Sequence, residues 1–382
     1  MSQPVIIVGT GLAGTHAAKE FRKHDKETPI VFVTADDGRI YSKPMLSNAM
    51  GKGKGADDLV MQEPAALGEQ LGATVRAGAT VSAIDTAAHT VTVDGEVLAY
   101  SKLVLALGAE QIRVPMEGDG VADILSVNDR VEYAALRERL GDRKRVLIVG
   151  AGLIGCEFAN DFAGSGIAVT LVDLAAWPLN RLMPEPAGDA LSAALRGLGT
   201  TMHFGTVVKT VERAGDGYRC TLGDGAVVEV DLVLSAVGLR PRTALAQAAG
   251  LTVNRGVVVD RQLQTSAADV YAIGDCAETA GLVLPYIMPI MHAGRVLGAA
   301  LAGQAASLSY PAMPVIVKTP AHPVLVSPPA PDASGEWRCE GGPTGVRATF
   351  HAADGALLGF ALTGDRLADK KELQPLLPPV LA

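Results

Sequence analysis

Two glycine triplets, Gly9-x-Gly11-x-x-Gly14 and Gly150-x-Gly152-x-x-Gly155, each follow an apolar run (VIIV and VLIV) and precede a stretch suited to a helix. This order serves the pyrophosphate of a dinucleotide. The first glycine permits the tight turn, the second lets backbone approach the phosphates, and the third lets helix lie close on strand. The helix N-terminus then faces the negative charge. One such triplet also occurs in ordinary strand-to-helix turns, but two in one chain point to two dinucleotide sites. After the second triplet the strand AVTLVD ends in Asp173, eighteen residues beyond Gly155, a spacing that suits acceptance from a ribose 2′-hydroxyl. An acid there would repel a 2′-phosphate, and no arginine follows until Arg181, so NADH is expected over NADPH. The plainer alternative is that Asp173 caps a turn. The corresponding strand of the first unit, PIVFVT, ends in Thr34 with Asp36 and Asp37 beyond, which leaves its ribose contact open.

Other candidates depend on their surroundings. Lys43 in YSKPMLS is a loop lysine unless a cofactor site claims it. Glu157 lies two residues into the helix after Gly155, where an acid also simply favours the helix N-terminus. Asp275 closes the strand of TSAADVYAIGD and could be a helix N-cap worth about 1 kcal/mol. Four dispersed cysteines (Cys156, Cys220, Cys276, Cys339) give no CxxC pair and no zinc spacing, and the seven histidines show no metal-ligand pairing. No metal site is expected, and unpaired thiols suit a reducing cytoplasm.

The elements that must position these residues follow from length and pattern. A chain of 382 residues with 48% hydrophobic residues, 43 glycines and few aromatics suits an α/β architecture of two or three domains. The net charge of −8 argues against general nucleic-acid binding, without excluding a local basic patch. The first strand starts at once, which leaves no room for a signal peptide. The apolar stretch Leu282 to Ala302 is broken by Pro285, Pro289, His292 and Arg295, so it reads as a buried strand and helix, not a membrane span. Residues 73–100 carry alternating runs typical of an antiparallel insertion, and Leu103 to Gly108 reads as a buried strand ending on glycine. The segment LGDGAVVEVDLVLSAVG reads as a hairpin and strand ending on Gly238. From Pro311 a proline-rich stretch and further alternating segments suggest a small separate α+β or β unit.

Two glycine triplets, strands ending in ALG and AVG, and then AIGD, together with YSKPMLS, GAGLIGCEFA, SAVGLRPRT and PVIVKTP, resemble the two-dinucleotide-binding-domain flavoprotein reductases. The resemblance covers nearly the whole chain and is greatest to the branch of rubredoxin reductases and the ferredoxin reductases of oxygenase systems. It implies two Rossmann-like α/β domains and a small C-terminal α+β domain. An FAD-binding domain would be assembled from residues 1–110 and 243–312, with an NAD-binding domain, 111–242, inserted between them and a C-terminal domain at 313–382. The cofactors implied are FAD and NADH, and the partner is rubredoxin, with a ferredoxin as alternative acceptor and a slow FAD/NAD(H)-binding sensor as alternative role. The implied cofactor-binding residues of the first unit are Gly9, Thr10, Gly11, Leu12, Ala13, Gly14, Val33, Thr34, Lys43, Val81, Gly108, Asp275, Ile287 and Lys318. Those of the second are Gly150, Gly152, Gly155, Asp173 and Gly238, with Glu157 facing the nicotinamide and able to pair with Lys43. Lys43, Glu157 and Lys318 are the implied catalytic residues. The two lysines would also give an acidic enzyme a local basic rim that attracts an acidic carrier. Disulfide reductases of this resemblance carry a redox cysteine pair early in the chain, and peroxide- or oxygen-reducing relatives carry one cysteine after the YSKPMLS-like loop. Here no cysteine precedes Cys156, and Asn48 follows the YSKPMLS loop, so electrons would leave the flavin directly for an external acceptor.

Overall fold

The computed structural model describes residues 3–382. The first run, Val5–Val8, is buried along its length and lies between Ile30–Thr34 and Lys102–Leu105, parallel to both. Ala73–Ala77 and Val270–Ala272 add the two edges of this five-stranded sheet. An apolar strand covered on both faces needs no alternation, which is why VIIV reads as a continuous run. The second unit repeats the plan with Thr201–Phe204, Ala168–Asp173, Arg145–Val149 and Leu232–Ser235, in that order and all parallel. Each unit also carries a three-stranded antiparallel sheet: Val81–Asp85, Thr90–Val93 and Glu96–Ala99 in the first, Val208–Ala214, Gly217–Leu222 and Val227–Val230 in the second.

Two expectations need correction. The run Ala73–Ala77 belongs to the main parallel sheet, paired with Ile30–Thr34, and not to the antiparallel insertion. It alternates because an edge strand has partly exposed faces, a pattern that periodicity cannot distinguish from a hairpin strand. The stretch Leu282 to Ala302 forms only a helix, Ile287–Leu301, preceded by a loop with a single bridge between Thr279 and Leu282. Among the described residues no helix is long and apolar enough to cross a membrane.

The chain leaves the first unit along Ala109–Gln111 and returns along Leu239–Pro241, and these two short strands pair antiparallel. Ile112 N–H donates to Gly238 O at 3.0 Å and Arg242 N–H to Gly108 O at 3.0 Å, so both crossings share one ladder.

The C-terminal part is a five-stranded antiparallel sheet, ordered Val315–Val317, Val324–Ser327, Leu357–Thr363, Gly345–His351, Glu336–Gly342, followed by the short helix Lys370–Leu373. It is not separate in its packing. Val317, Val326, Val346 and Ala361 share a core with Phe158, Phe162, Leu191 and Leu195 of the second unit. The last residues return to the first unit, where Leu381 pairs with Tyr310 and both join its core.

Candidate functional site

The two glycine turns have the same geometry. Gly9 and Gly150 adopt φ of +114° and +102°, open to glycine but not to ordinary L-residues. A Cβ on Gly14 would lie 2.1 Å from Gly9 O, and one on Gly155 would lie 1.8 Å from Gly150 O, so each helix touches the turn that starts it. Gly11 and Gly152 have nothing within 4 Å of a Cβ position. They are also the N-caps of Leu12–His24 and Leu153–Gly164, and neither helix has a side-chain cap. Two open cradles at uncapped helix N-termini are what a pyrophosphate requires, so the residues fit two dinucleotides.

Around the first cradle Thr10 is buried, Leu12 is exposed, and Ala13 meets the turn Gly274–Cys276, where a Cβ on Gly274 would lie 2.6 Å from Ala13 Cβ. That contact brings Asp275 beside the glycine loop. Val33 is fully buried, Val81 is half-buried at the start of its strand, and Ile287 opens its helix with the side chain exposed. Gly108 and Gly238, both at positive φ, flank the two crossing strands.

The two units place their acids differently. Asp173 is half-buried; its Oδ2 accepts the Ala151 N–H of the glycine turn at 2.5 Å and its Oδ1 accepts Ala175 N–H at 2.7 Å. It therefore caps a turn and also fixes the second cradle. In the first unit Thr34 Oγ1 donates to Asp36 Oδ1 at 2.7 Å, and the same oxygen takes Gly38 N–H at 2.9 Å. The acid at this strand end is Asp36, two residues late and held by Thr34. Asp37 turns away to Arg130, which also bonds Asp57 at 2.9 Å.

The lysines and Glu157 pair otherwise than the resemblance implies. Lys43 Nζ lies 3.7 Å from Asp275 Oδ2, and among the described residues Asp275 accepts no backbone amide and serves as no N-cap. Glu157 is 0% exposed. Its carboxylate accepts from Ser47 Oγ, from Lys318 Nζ, and from Lys318 N–H at 2.8 Å. The expected Glu157–Lys43 pair is thus absent, because Lys318 reaches Glu157 from the C-terminal sheet while Asp275 engages Lys43. Both lysines are matched by a carboxylate, so they do not form the expected basic rim.

Sequence reasoning missed the residues that join the units. The helix Leu153–Gly164 is apolar except for Cys156, Glu157, Asn160 and Asp161, all buried. Asn160 Oδ1 accepts Ala321 N–H at 3.1 Å, and Asp161 accepts Met50 N–H at 3.0 Å and Gly51 N–H at 2.9 Å. Burial pushes the Asp161 carboxyl above the usual carboxylate range, and the two amides partly offset this. Nearby, Tyr133 OH and Arg137 Nη1 donate to Lys54 O at 3.1 and 2.8 Å. The signal was available: a helix apolar on every side is buried, so its few polar residues must find partners. Asn48 is buried with Oδ1 unpartnered.

The cysteines are free, and Cys156 and Cys276 are fully buried. Burial pushes both thiols up, that of Cys276 to about 11. Such thiols are poor nucleophiles at neutral pH.

Comparisons with known proteins agree with this architecture. The family profile described as rubredoxin binding C-terminal domain matches residues 307–377. A rubredoxin-NAD(+) reductase of Alcanivorax borkumensis is 50% identical over 379 residues, 99% of each chain. A nitric oxide reductase FlRd-NAD(+) reductase of Aeromonas salmonicida is 40% identical over 380 residues, 99% of this chain and 97% of that one. Among solved structures, a ferredoxin reductase from Rhodopseudomonas palustris superposes with a TM-score of 0.89 at 27% identity, covering 100% of this chain and 96% of that one. The profile of the pyridine nucleotide-disulphide oxidoreductases matches residues 3–297, and with both glycine cradles inside that span the chain belongs to this family.

Proposed function

We propose that the chain is an FAD-dependent NADH:rubredoxin oxidoreductase. The observation that carries this reading is the match to a rubredoxin-binding C-terminal domain at 307–377 on a chain that also holds two dinucleotide cradles. Residues 1–110 and 243–312 form the FAD unit, 111–242 the NADH unit, and 313–382 the unit that meets the carrier. Bound FAD supplies the exchange between a two-electron donor, NADH, and a one-electron acceptor.

The protein's part is binding and alignment. Gly9, Thr10, Gly11, Leu12, Ala13 and Gly14 present backbone and a helix N-terminus to the FAD pyrophosphate. Val33, Thr34 and Val81 form the adenosine end, with Asp36 fixed by Thr34. Asp275, paired with Lys43, faces the ribitol and phosphate region; Gly108 and Ile287 complete the FAD pocket. Gly150, Gly152, Gly155 and Gly238 cradle NADH, and Asp173 accepts from its ribose. Lys318 is the cation beside the flavin ring. Glu157, wholly buried, acts through Lys318 by fixing its ammonium. No protein sulfur relays electrons, and no general base is required. With its free thiols the protein suits the cytoplasm.

The test is anaerobic. Flavin released by acid should be FAD, NADH should bleach the yellow protein, and an added rubredoxin should restore the colour faster than a two-iron ferredoxin. Equal rates, or a faster ferredoxin, would overturn the choice of carrier. Slow bleaching with poor transfer to either carrier would favour the sensor. Because Lys43 and Lys318 are each paired, they should add little salt dependence to the transfer.

A further inference from the structure

We infer that Asp161 is a positioning residue that sets the NADH unit against the flavin unit; this rests on the oxidoreductase reading above. The helix Leu153–Gly164 starts at the second cradle, with Gly152 as its N-cap. Glu157 and Asp161 are four residues apart, just over one helical turn and about 6 Å along the axis. Both grip the same loop of the first unit. Glu157 holds the Ser47 side chain, and Asp161 holds the backbone of Met50 and Gly51.

Two attachment points, one on each side of Asn48, prevent the loop from pivoting about either. The 3-10 helix Lys43–Asn48 is thereby fixed, and with it Lys43 and Ser47. The fit at Gly51 is close: a Cβ there would lie 2.8 Å from Asp161 Oδ1. From the same face Asn160 holds Ala321 and Glu157 holds Lys318. The helix that begins where NADH binds is therefore tied to both lysines of the flavin site, and Asp161 supplies two of the ties. Asp161 is only 7% exposed, so removing its carboxylate leaves two backbone amides without their partner. Hydride transfer is sensitive to such displacement, since about 1 Å of misplacement can cost about a hundredfold in rate.

The test compares Asp161→Ala, Asp161→Asn and Gly51→Ala with the wild type in stopped flow, as purified FAD-bound proteins. The limiting rate of flavin bleaching at saturating NADH should fall about tenfold or more in Asp161→Ala. It should fall less in Asp161→Asn, which keeps an accepting oxygen. Gly51→Ala, whose methyl would press on the same carboxylate oxygen, should lower the rate less than Asp161→Ala, since that oxygen can swing aside. FAD content should be unchanged, as should the oxidation of dithionite-reduced flavin by ferricyanide, which does not need the NADH unit. A bleaching rate within twofold of wild type in both Asp161 variants would overturn the inference. A loss that tracks FAD content, or that ferricyanide oxidation shares, would also overturn it by showing a merely structural role. A wild-type protein that NADH does not bleach would sink the oxidoreductase reading and this inference with it.

Discussion

The two glycine cradles are close to superposable in their chemistry: positive φ at the first glycine, open space at the second, helix against turn at the third. They differ at the end of the next strand. In the second unit Asp173 stands on the strand itself and binds the Ala151 amide of the cradle directly. In the first unit the acid is Asp36, displaced past the strand and tethered by the Thr34 hydroxyl. One scaffold therefore presents a carboxylate in two ways, rigidly tied to the glycine turn or held one step outside it. In dinucleotide-binding folds the glycines of such a turn receive the pyrophosphate, and an acid after the next strand accepts from the ribose.

The largest expected effect separates the two cradles. Gly14→Ala and Gly155→Ala each drive a methyl into a backbone carbonyl that cannot move freely. Gly14→Ala should purify with little or no FAD. Gly155→Ala should keep its FAD and require at least about tenfold more NADH for half-maximal bleaching, the equivalent of about 1.4 kcal/mol. If Gly155→Ala also loses its flavin, the cradles are not independent and the comparison breaks. A smaller effect is expected at the acid. Asp173→Ala should narrow the preference for NADH over NADPH by about tenfold, since one nearby charge is worth about 1 kcal/mol or more at the surface. Because Asp173 also holds Ala151, NADH affinity itself should fall. An unchanged ratio of the two rates would reduce Asp173 to a turn cap.

The smallest effect is a null one and tests a feature that both units share. Cys156 follows the second cradle's last glycine and Cys276 follows Asp275. Each is buried and donates its S–H to backbone carbonyls. The sign is simple: a thiol pushed up to about 11 stays protonated at pH 8 and gains reactivity only as pH approaches that value. Iodoacetamide at pH 8 should label Cys339, the exposed thiol, and leave NADH bleaching unchanged. Loss of bleaching together with modified Cys156 or Cys276 would show that these sites open in solution.

What the sequence revealed was local. The cradles, the strand ending at Asp173 and the AIGD turn each depend on residues a few positions apart, and glycine chemistry makes them legible. The pairings were not legible. Lys43 meets Asp275, and Glu157 meets Ser47 and Lys318, across separations that only the assembled fold brings together. The expected basic rim rested on Lys43 and Lys318 alone, and each of them faces a carboxylate distant in sequence. Ala73–Ala77 was placed in the wrong sheet because an edge strand and a hairpin strand alternate alike. The C-terminal unit was legible as alternating strands, but not its shared core with Phe158 and Phe162, since that face declares itself only once the helix lies against it.

The paired crossing strands, Ala109–Gln111 and Leu239–Pro241, bear on how the chain is made. The first sheet stays open at one edge until Val270–Ala272 arrives beside Lys102–Leu105, whereas the second sheet closes at Leu232–Ser235. On a ribosome, where residues emerge in order, the second sheet has all its strands before the first sheet, which began earlier. The nascent chain must therefore keep the half-built first sheet, with its apolar edge Leu103–Leu105, unassociated while the insertion folds. A chain cut short after Leu239–Pro241 would hold every strand of the second sheet, but neither the last strand of the first sheet nor the C-terminal sheet whose Val317, Val326, Val346 and Ala361 cover Phe158 and Phe162.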